Sequence, residues 1–280
     1  MAGRLAGKVA VITGASRGLG QYCAIGYGRE GATVVVAART ESAEASRLPG
    51  TIHETVELVK AAGGDALAVA CNVADNASVE AMAQQVLDRF GRVDVLMTNA
   101  AVQPPGRVST MELKHWELEF RVNVHGSFYP IRAFLPSMQA AGAGNIITIS
   151  SIAAHRGGSH YGATKRAIES MSIGLAGELK DQGIAVNCLR PVGGIETPGF
   201  LMARTPGQPN TASTMSNYAP PDSYVEAAIL FATQTASTCT GAVLTDAEVV
   251  QRFAPEELAR FKAMNPADWS ASLTAAGTSG

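Results

Sequence analysis

The sequence predicts a single-domain α/β fold, in which a parallel sheet of about seven strands is covered by helices on both faces. Short apolar runs alternate with longer segments of helical periodicity along most of the chain. The runs are continuously apolar rather than alternating in polarity, which is typical of strands that are buried on both faces. A length of 280 residues and a hydrophobic fraction of 46% suffice for one large core.

The order of these segments predicts right-handed crossovers between parallel strands. The predicted strands are residues 9–12, 33–37, 66–70, 93–97, 145–149, 185–189 and 242–244. Predicted helices follow the first strand as far as Glu30 and cover residues 77–90, 113–140 and 161–181, the third interrupted near Pro130. Thr51 and Glu54 have the spacing of a capping box, which predicts a further helix ending near Ala62.

A glycine-rich turn follows the first strand and leads directly into a helix. A dinucleotide site requires this order of strand, turn and helix, because glycines let the backbone approach a pyrophosphate and the helix N-terminus offers it free N–H groups. The sequence therefore predicts a doubly wound, Rossmann-type domain. Its expected cofactor contacts in this turn are Gly14, Ser16, Arg17, Gly18, Leu19 and Gly20.

The end of the second strand favours NADP(H) over NAD(H). An NAD site usually has an acidic residue here to bind the ribose 2′-OH, whereas a nearby arginine accommodates a 2′-phosphate. This chain has Ala38 followed by Arg39, and Arg17 in the glycine turn can reach the same phosphate.

Polar or turn-forming residues follow the other strands at the edge where such sheets bind ligands. Because the carboxyl ends of parallel strands meet at one edge, these residues are expected to gather around the cofactor. They are Asn72, Asn99, Ser151 and Pro191, and the adjacent Val73 and Ala100 are expected to contact the cofactor with them.

Tyr161 and Lys165 are spaced by one helical turn, so they lie on one helix face. An ammonium beside a phenol favours the phenolate and lowers the phenol pKa, which suits a general acid or base. Alone, this spacing is common by chance, and Tyr161 would then pack while Lys165 is solvated. The glycine turn and the converging strand ends favour the catalytic interpretation.

These motifs together resemble the short-chain dehydrogenase/reductase family over residues 5–246. The resemblance rests on Thr13-Gly14-x-x-x-Gly18-x-Gly20, Asn99-Ala100, Asn123, Ser151, Tyr161-x-x-x-Lys165, and Pro191 with Thr197. It implies that Tyr161 transfers the proton, Lys165 lowers the phenol pKa and binds the nicotinamide ribose, and Ser151 hydrogen-bonds the substrate oxygen. It also implies that Asn123 anchors a water of a proton relay, and that Ile195 and Thr197 bind the nicotinamide carboxamide.

The sequence departs from the family pattern at several positions. Ser151 stands ten positions before Tyr161, closer than is usual in the family, and Ser150 is a rival for the serine role. Asn72 replaces an Asp that usually contacts adenine, and Ala101 and Val192 each replace a glycine. Residues 245–248, with residues 48–52, are similar to the hydroxysteroid-dehydrogenase-like branch, which does not define a substrate.

The resemblance also implies a domain organisation. We expect residues 1–250 to form the dinucleotide-binding domain, with a mobile substrate lid near residues 198–224 whose apolar side chains suggest a substrate with an apolar body. Residues 251–280 are expected to form a C-terminal extension with a short helix at residues 255–261 and a disordered end. A homo-oligomer is expected, a tetramer or a dimer, through the helices of residues 113–140 and 161–181.

The sequence thus predicts an NADP(H)-dependent oxidoreductase that interconverts a carbonyl and a secondary alcohol on a small, apolar molecule. The alternatives are a dehydratase or epimerase on the same fold, and a non-catalytic nucleotide-binding scaffold.

Composition argues against other classes of function. A net charge of −2 gives no nucleic-acid footprint, and no apolar run is long enough to span a membrane. Cys23, Cys71, Cys188 and Cys239 are scattered, which indicates reduced thiols and a cytoplasmic location. The five histidines lack metal-ligand spacing, so no metal is expected.

Overall fold

The computed structural model describes residues 2–46, 48–157, 159–195, 197 and 221–263. Seven strands form one parallel sheet in the order β3-β2-β1-β4-β5-β6-β7. They are β1 (Val9–Thr13), β2 (Thr33–Ala38), β3 (Asp65–Ala70), β4 (Val95–Thr98), β5 (Gly144–Ile149), β6 (Ile184–Arg190) and β7 (Val243–Thr245). Each of the seven predicted strands is confirmed.

Helices connect the strands. In chain order they are α1 (Gly18–Arg29), α2 (Ile52–Ala61), α3 (Asn76–Phe90), α4 (Leu113–Phe120), α5 (Gly126–Ala141), α6 (Ala153–Arg156), α7 (His160–Leu179), α8 (Pro221–Ala232), α9 (Asp246–Phe253) and α10 (Pro255–Ala263). The capping box predicted at Thr51 is confirmed, because its hydroxyl accepts from Glu54 N and the Glu54 carboxylate accepts from Thr51 N.

The helices cover both faces of the sheet, as predicted. Along β1, Ala10 and Ile12 enter one apolar core, and Val9 and Val11 enter the other. The first core is closed by side chains of α1, α2, α8 and α9, and the second by α3, α5 and α7. Strand order reverses between β1 and β4, so the crevice in which such folds bind ligands lies above the ends of these two strands.

The interruption predicted near Pro130 is wrong in position. The helical hydrogen-bond pattern changes in the π-helical turn Arg121–His125, whereas Pro130 and Pro136 lie inside α5. A π turn has no simple residue signature, and it shifts the backbone register before the first proline is reached. Its position matters because the turn contains Asn123.

The C-terminal part of the chain packs onto the sheet. The boundary that we expected at residue 250 falls inside α9, and Phe261 of α10 is buried in the first core. The helix expected at residues 255–261 is present as α10. Of the expected lid, residues 198–220 lie outside the described residues, whereas 221–224 belong to α8, where Tyr224 is buried. The expected disordered end also lies outside the described residues.

No helix in the described part of the chain combines the length and the apolar character needed to cross a membrane.

Candidate active site

Hydrogen bonds from the residues after β4 hold the glycine turn in place. Asn99, which follows β4, donates from Nδ2 to the carbonyls of Thr13 and Gly14, at 2.9 and 3.2 Å. The Thr13 hydroxyl oxygen accepts from the backbone N–H groups of Asn99 and Ala100. Asn99 and Ala100 therefore shape the turn, a function that the strand-end pattern did not reveal.

The turn requires glycine for steric reasons. Gly14 has φ 67°, and a Cβ there would lie 2.7 Å from the Ala100 Cα. Gly18 has φ 58°, and a Cβ there would lie 3.1 Å from the Cβ of Thr197. The side chain of the N-cap residue, Arg17, makes no capping hydrogen bond, so it leaves the first N–H groups of α1 to another acceptor. This environment suits a phosphate group.

Arg17 is fixed by the segment that precedes α2. Its Nε donates to the Pro49 carbonyl at 2.8 Å, and its Nη2 donates to the Gly50 carbonyl at 2.7 Å and to Thr40 Oγ1 at 3.2 Å. Burial, and then the charge of Arg39, lower the pKa of the Arg17 guanidinium. Two guanidinium groups therefore act on each other at the end of β2, next to Ala38, where Arg39 is exposed.

The other predicted residues around the turn have supporting contacts. Ser16 is buried, and Leu19 packs against the first core. The Asn72 amide oxygen accepts from Ala74 N at 3.3 Å, so the local backbone uses one of the two lone pairs of this oxygen. Val73 is buried against α5, where a Cβ on Gly126 would meet it at 2.7 Å.

Asn123 is buried and connects three segments. Its Oδ1 accepts from Val102 N at 2.8 Å, and its Nδ2 donates to Val102 O and to Thr164 Oγ1, both at 3.0 Å. Thr164 in turn donates to the carbonyl of Tyr161 at 2.8 Å. The side chain of Asn123 thereby joins the loop after β4 to the first turn of α7.

Lys165 is buried beneath the strand ends. Its Nζ donates to the Ile149 carbonyl at 2.8 Å and lies 5.4 Å from the centroid of the Tyr161 ring. Burial lowers the pKa of Lys165 to about 8. The dyad that the sequence predicted is therefore assembled on one helix face.

The expectation that Lys165 lowers the phenol pKa is not met in this structure. Burial, and then the charge of Glu119, raise the pKa of Tyr161 above its ordinary value. Desolvation opposes the charged form of both groups. It therefore favours the neutral phenol of Tyr161 and the neutral amine of Lys165.

The two serines at the end of β5 have different partners. Ser150 is buried and donates to Glu169 Oε1 at 2.8 Å. Ser151 Oγ accepts from Ala153 N at 3.2 Å, which leaves its O–H proton for another acceptor.

Glu169, which the sequence did not single out, anchors the surroundings of Ser150. It also contacts His155 of α6, Arg166 and, more distantly, Arg190 of β6. The sequence could have indicated Glu169 through its spacing, because it lies one helical turn after Lys165 on the same helix.

The segment after β6 completes the crevice. Pro191 follows the strand directly, Ile195 is buried in the first core, and Thr197 faces Gly18. Val192 N donates to the buried carboxylate of Asp246 at 2.6 Å. Asp246 thus fixes this segment to α9, in the part of the chain that departs from the family pattern.

Comparisons with known proteins find a matching family and similar relatives. The model of the family described as short chain dehydrogenase matches residues 8–205. A 2,5-dichloro-2,5-cyclohexadiene-1,4-diol dehydrogenase of Sphingobium indicum is 37% identical over 201 residues, which cover 71% of this chain and 77% of the relative. An uncharacterised NAD-dependent oxidoreductase of Mycobacterium tuberculosis is 35% identical over 205 residues, 70% of this chain and 74% of the relative.

A solved structure supports the same assignment. A metagenomic short-chain oxidoreductase in complex with NADP is 32% identical and superposes with a TM-score of 0.70, covering 86% of this chain and 97% of that one. With its sheet order, its glycine turn and its tyrosine–lysine helix, this chain belongs to the short chain dehydrogenase family of oxidoreductases.

Proposed function

We propose that this protein is an NADP(H)-dependent oxidoreductase that interconverts a carbonyl and a secondary alcohol on a small molecule with an apolar body. The observation that carries the proposal is the assembly of Tyr161 and Lys165 on one face of α7, with the Lys165 ammonium bonded to the end of β5. Family membership supplies the class of reaction, and the residues below supply the assignment of roles.

Each catalytic group has a role that follows from its chemistry. Bound NADPH supplies the hydride that the carbonyl carbon accepts. Tyr161 donates its phenolic proton to the substrate oxygen, and the Lys165 ammonium stabilises the phenolate that remains. Ser151 donates its O–H to the same oxygen as negative charge develops there. Asn123 holds the loop after β4 against α7 and so supports the proton relay.

The residues present fit the cofactor. The close-packed glycines and the uncapped start of α1 suit a pyrophosphate, and Arg17 and Arg39 suit a 2′-phosphate. The assigned contacts are Gly14, Ser16, Arg17, Gly18, Leu19, Gly20, Arg39, Asn72, Val73, Asn99, Ala100, Tyr161, Lys165, Pro191, Ile195 and Thr197. A bound oxidised nicotinamide would add a positive charge to the crevice, and such a charge would favour the Tyr161 phenolate.

Two arguments support the proposed substrate class. The sequence is rich in apolar residues near 198–224, where the resemblance implies a substrate lid, and this favours a substrate with an apolar body. The relative from Sphingobium indicum is named for a cyclic diol, which supports a ring-bearing secondary alcohol as the class to test first. We also propose a cytoplasmic location, because four buried thiols suit a reducing compartment.

Two other functions make different predictions. A dehydratase or epimerase on this fold would also use Tyr161 but would not consume NADPH stoichiometrically with a ketone. A scaffold would bind the nucleotide without turnover. A panel of cyclic and open-chain ketones, assayed by NADPH absorbance together with product analysis, separates these functions from the proposed one.

We expect a homo-oligomer, a tetramer or a dimer, because α5 and α7 expose large apolar side chains. Phe128 and Ile173 are 42% and 55% exposed, respectively. Light scattering at micromolar concentration measures the mass directly. A mass near 29.0 kDa, that of one chain, would contradict the expectation.

We expect NADPH to bind at least about tenfold more tightly than NADH, because a charge-assisted contact to a phosphate contributes about 1.5–3 kcal/mol. Arg39→Asp should reverse the preference, as measured by fluorescence titration with both cofactors. Lys60→Glu on α2 makes a comparable change in net charge and should preserve the preference. Equal affinity of the parent for the two cofactors would refute this assignment.

We expect Ser151→Ala to lower turnover by about 10²–10³, the effect of removing one donor to a developing oxyanion. Ser150→Ala should lose its bond to Glu169 and about 1 kcal/mol of stability while it retains most turnover. Steady-state kinetics and thermal melts of both variants decide between the serines. Greater damage to turnover from Ser150→Ala would show that the roles are exchanged.

We expect Tyr161→Phe to lower turnover by about 10²–10⁴, because it removes the proton donor and preserves the ring. The affinity for NADPH should stay within a few-fold, since the glycine turn and Lys165 are untouched. Lys165→Met should lower both turnover and cofactor affinity. Ketone-dependent oxidation of NADPH and fluorescence titration measure the two effects separately, and a Tyr161→Phe protein as active as the parent would refute the mechanism.

The same mechanism predicts a pH dependence. Since burial lowers the pKa of Lys165 to about 8, its ammonium is charged below that pH and becomes neutral above it. Ketone reduction by the parent should therefore fall as the pH rises through 8, because the phenolate loses its stabilising charge. The residual activity of Lys165→Met should lack this step, and an identical step in that variant would assign the titration to another group.

A further inference from the structure

Helix α4 buries a carboxylate and exposes leucines. Glu119 is its only buried residue and is fully inaccessible, whereas Leu113 and Leu118 are 69% and 41% exposed. Burying an ionised carboxylate is costly unless it is paired and hydrogen-bonded. No other side chain of α4 is buried, so the burial of the Glu119 carboxylate indicates that it has a specific hydrogen-bond partner.

The partner is His160, the residue before Tyr161. His160 is buried at the start of α7, and its Nδ1 lies 2.6 Å from Glu119 Oε2. Its Nε2 lies 3.1 Å from the carbonyl oxygen of Gly106. One imidazole thus joins α4, α7 and the loop of residues 99–112 between β4 and α4, which continues from the Asn99 end of the crevice.

The two contacts specify where protons must be. A carbonyl oxygen only accepts, so the Nε2 that faces Gly106 must carry a proton. A carboxylate oxygen and Nδ1 at 2.6 Å must also share a proton, since two lone pairs would otherwise face each other. The pair therefore holds two protons and is neutral overall, whichever of the two groups holds the shared one.

The buried environment of Glu119 favours a proton shared between Glu119 and His160. Glu119 Oε1 is buried and has no hydrogen-bond partner in the described part of the structure, so a free carboxylate here would be poorly solvated. Burial raises the pKa of Glu119, against the lowering effect of His160. A charged Glu119 acts on Tyr161 and Lys165, and the proton shared with His160 offsets this negative charge near the phenol.

We propose that Glu119 and His160 form a buried positioning pair, which fixes Tyr161 relative to the loop of residues 99–112 for the reaction proposed above. The pair touches neither the reacting atoms nor the glycine turn. It acts through the backbone position of Tyr161, the next residue, and through the Gly106 carbonyl. The inference rests on the proposed function, so its test includes a measurement that does not require turnover.

The kinetic test compares two substitutions of Glu119. Glu119→Leu removes the partner of His160 and should lower kcat by about 10- to 100-fold, the scale of a small misplacement of a catalytic group. The NADPH Kd should stay within about twofold, because the hydrogen bonds of the pair go to the loop of residues 99–112 and not to the glycine turn. Glu119→Gln can donate from its amide to Nδ1 while Nε2 still donates to Gly106, and it should restore kcat to within about threefold of the parent.

A matched control separates positioning from general destabilisation. Asn145 is buried at the amino end of β5, opposite the crevice, and its Nδ2 donates to the carbonyls of Phe231 and Gln234, both at 2.7 Å. Asn145→Leu should lower Tm, because it removes two buried hydrogen bonds, and it should leave kcat unchanged. A Glu119→Leu protein with the kcat of the control, or a Glu119→Gln protein as impaired as Glu119→Leu, would overturn the proposal.

The second measurement is proton NMR of the parent and of Glu119→Gln. A proton held between Nδ1 and Oε2 in a dry site should give a slowly exchanging, far-downfield resonance that Glu119→Gln lacks. Absence of this resonance from the parent would overturn the pair even if Glu119→Leu fails to fold. A parent that shows the resonance but reduces no ketone would instead contradict the proposed function and leave the pair standing.

Discussion

The site depends on the contact between the ends of β1 and β4, where the strand order of the sheet reverses. Here Asn99 donates to the carbonyls of Thr13 and Gly14, and the Thr13 hydroxyl accepts from the backbone that follows β4. A Cβ at Gly14 would collide with Ala100, and one at Gly20 would lie 2.5 Å from the Asn99 amide. The backbone after β1 can lie this close to the residues after β4 only because Gly14 and Gly20 have no side chain. The opening of the cofactor crevice is therefore a consequence of backbone packing.

The sheet and most helices could be predicted because their signals are local. Buried parallel strands appear as continuous apolar runs, and the capping box joins residues only three apart, Thr51 and Glu54. The π turn at Arg121–His125 could not be predicted, since widening a helix by one residue per turn leaves no residue pattern. The contacts of Glu119 with His160 and of Ser150 with Glu169 join residues far apart in sequence, and they depend on the packing of α7 against α4 and the end of β5.

The electrostatics of the dyad show the limit of reasoning from spacing alone. The spacing of Tyr161 and Lys165 correctly predicts that they share a helix face, but it carries no information on burial. Desolvation acts on both groups and favours the neutral form of each, lowering the pKa of Lys165 and raising that of Tyr161. The burial of the dyad, which the spacing does not encode, therefore acts against ionisation at both positions.

Two buried carboxylates anchor the start of α7 on different sides. Glu119 contacts His160 just before Tyr161, and Glu169 follows Lys165 by one turn and contacts Ser150, His155 and Arg166. The Lys165 ammonium adds a third tie, to the Ile149 carbonyl. Because these contacts reach α4, α6 and β5, a movement of the first three turns of α7 would break polar contacts that are costly to lose in a low-dielectric interior. Polar contacts of the protein therefore hold the backbone at Tyr161. In the reaction that we propose, such preorganisation would let a general acid act without a reorganisation cost, so the energy of binding cofactor and substrate would not be spent on ordering this residue.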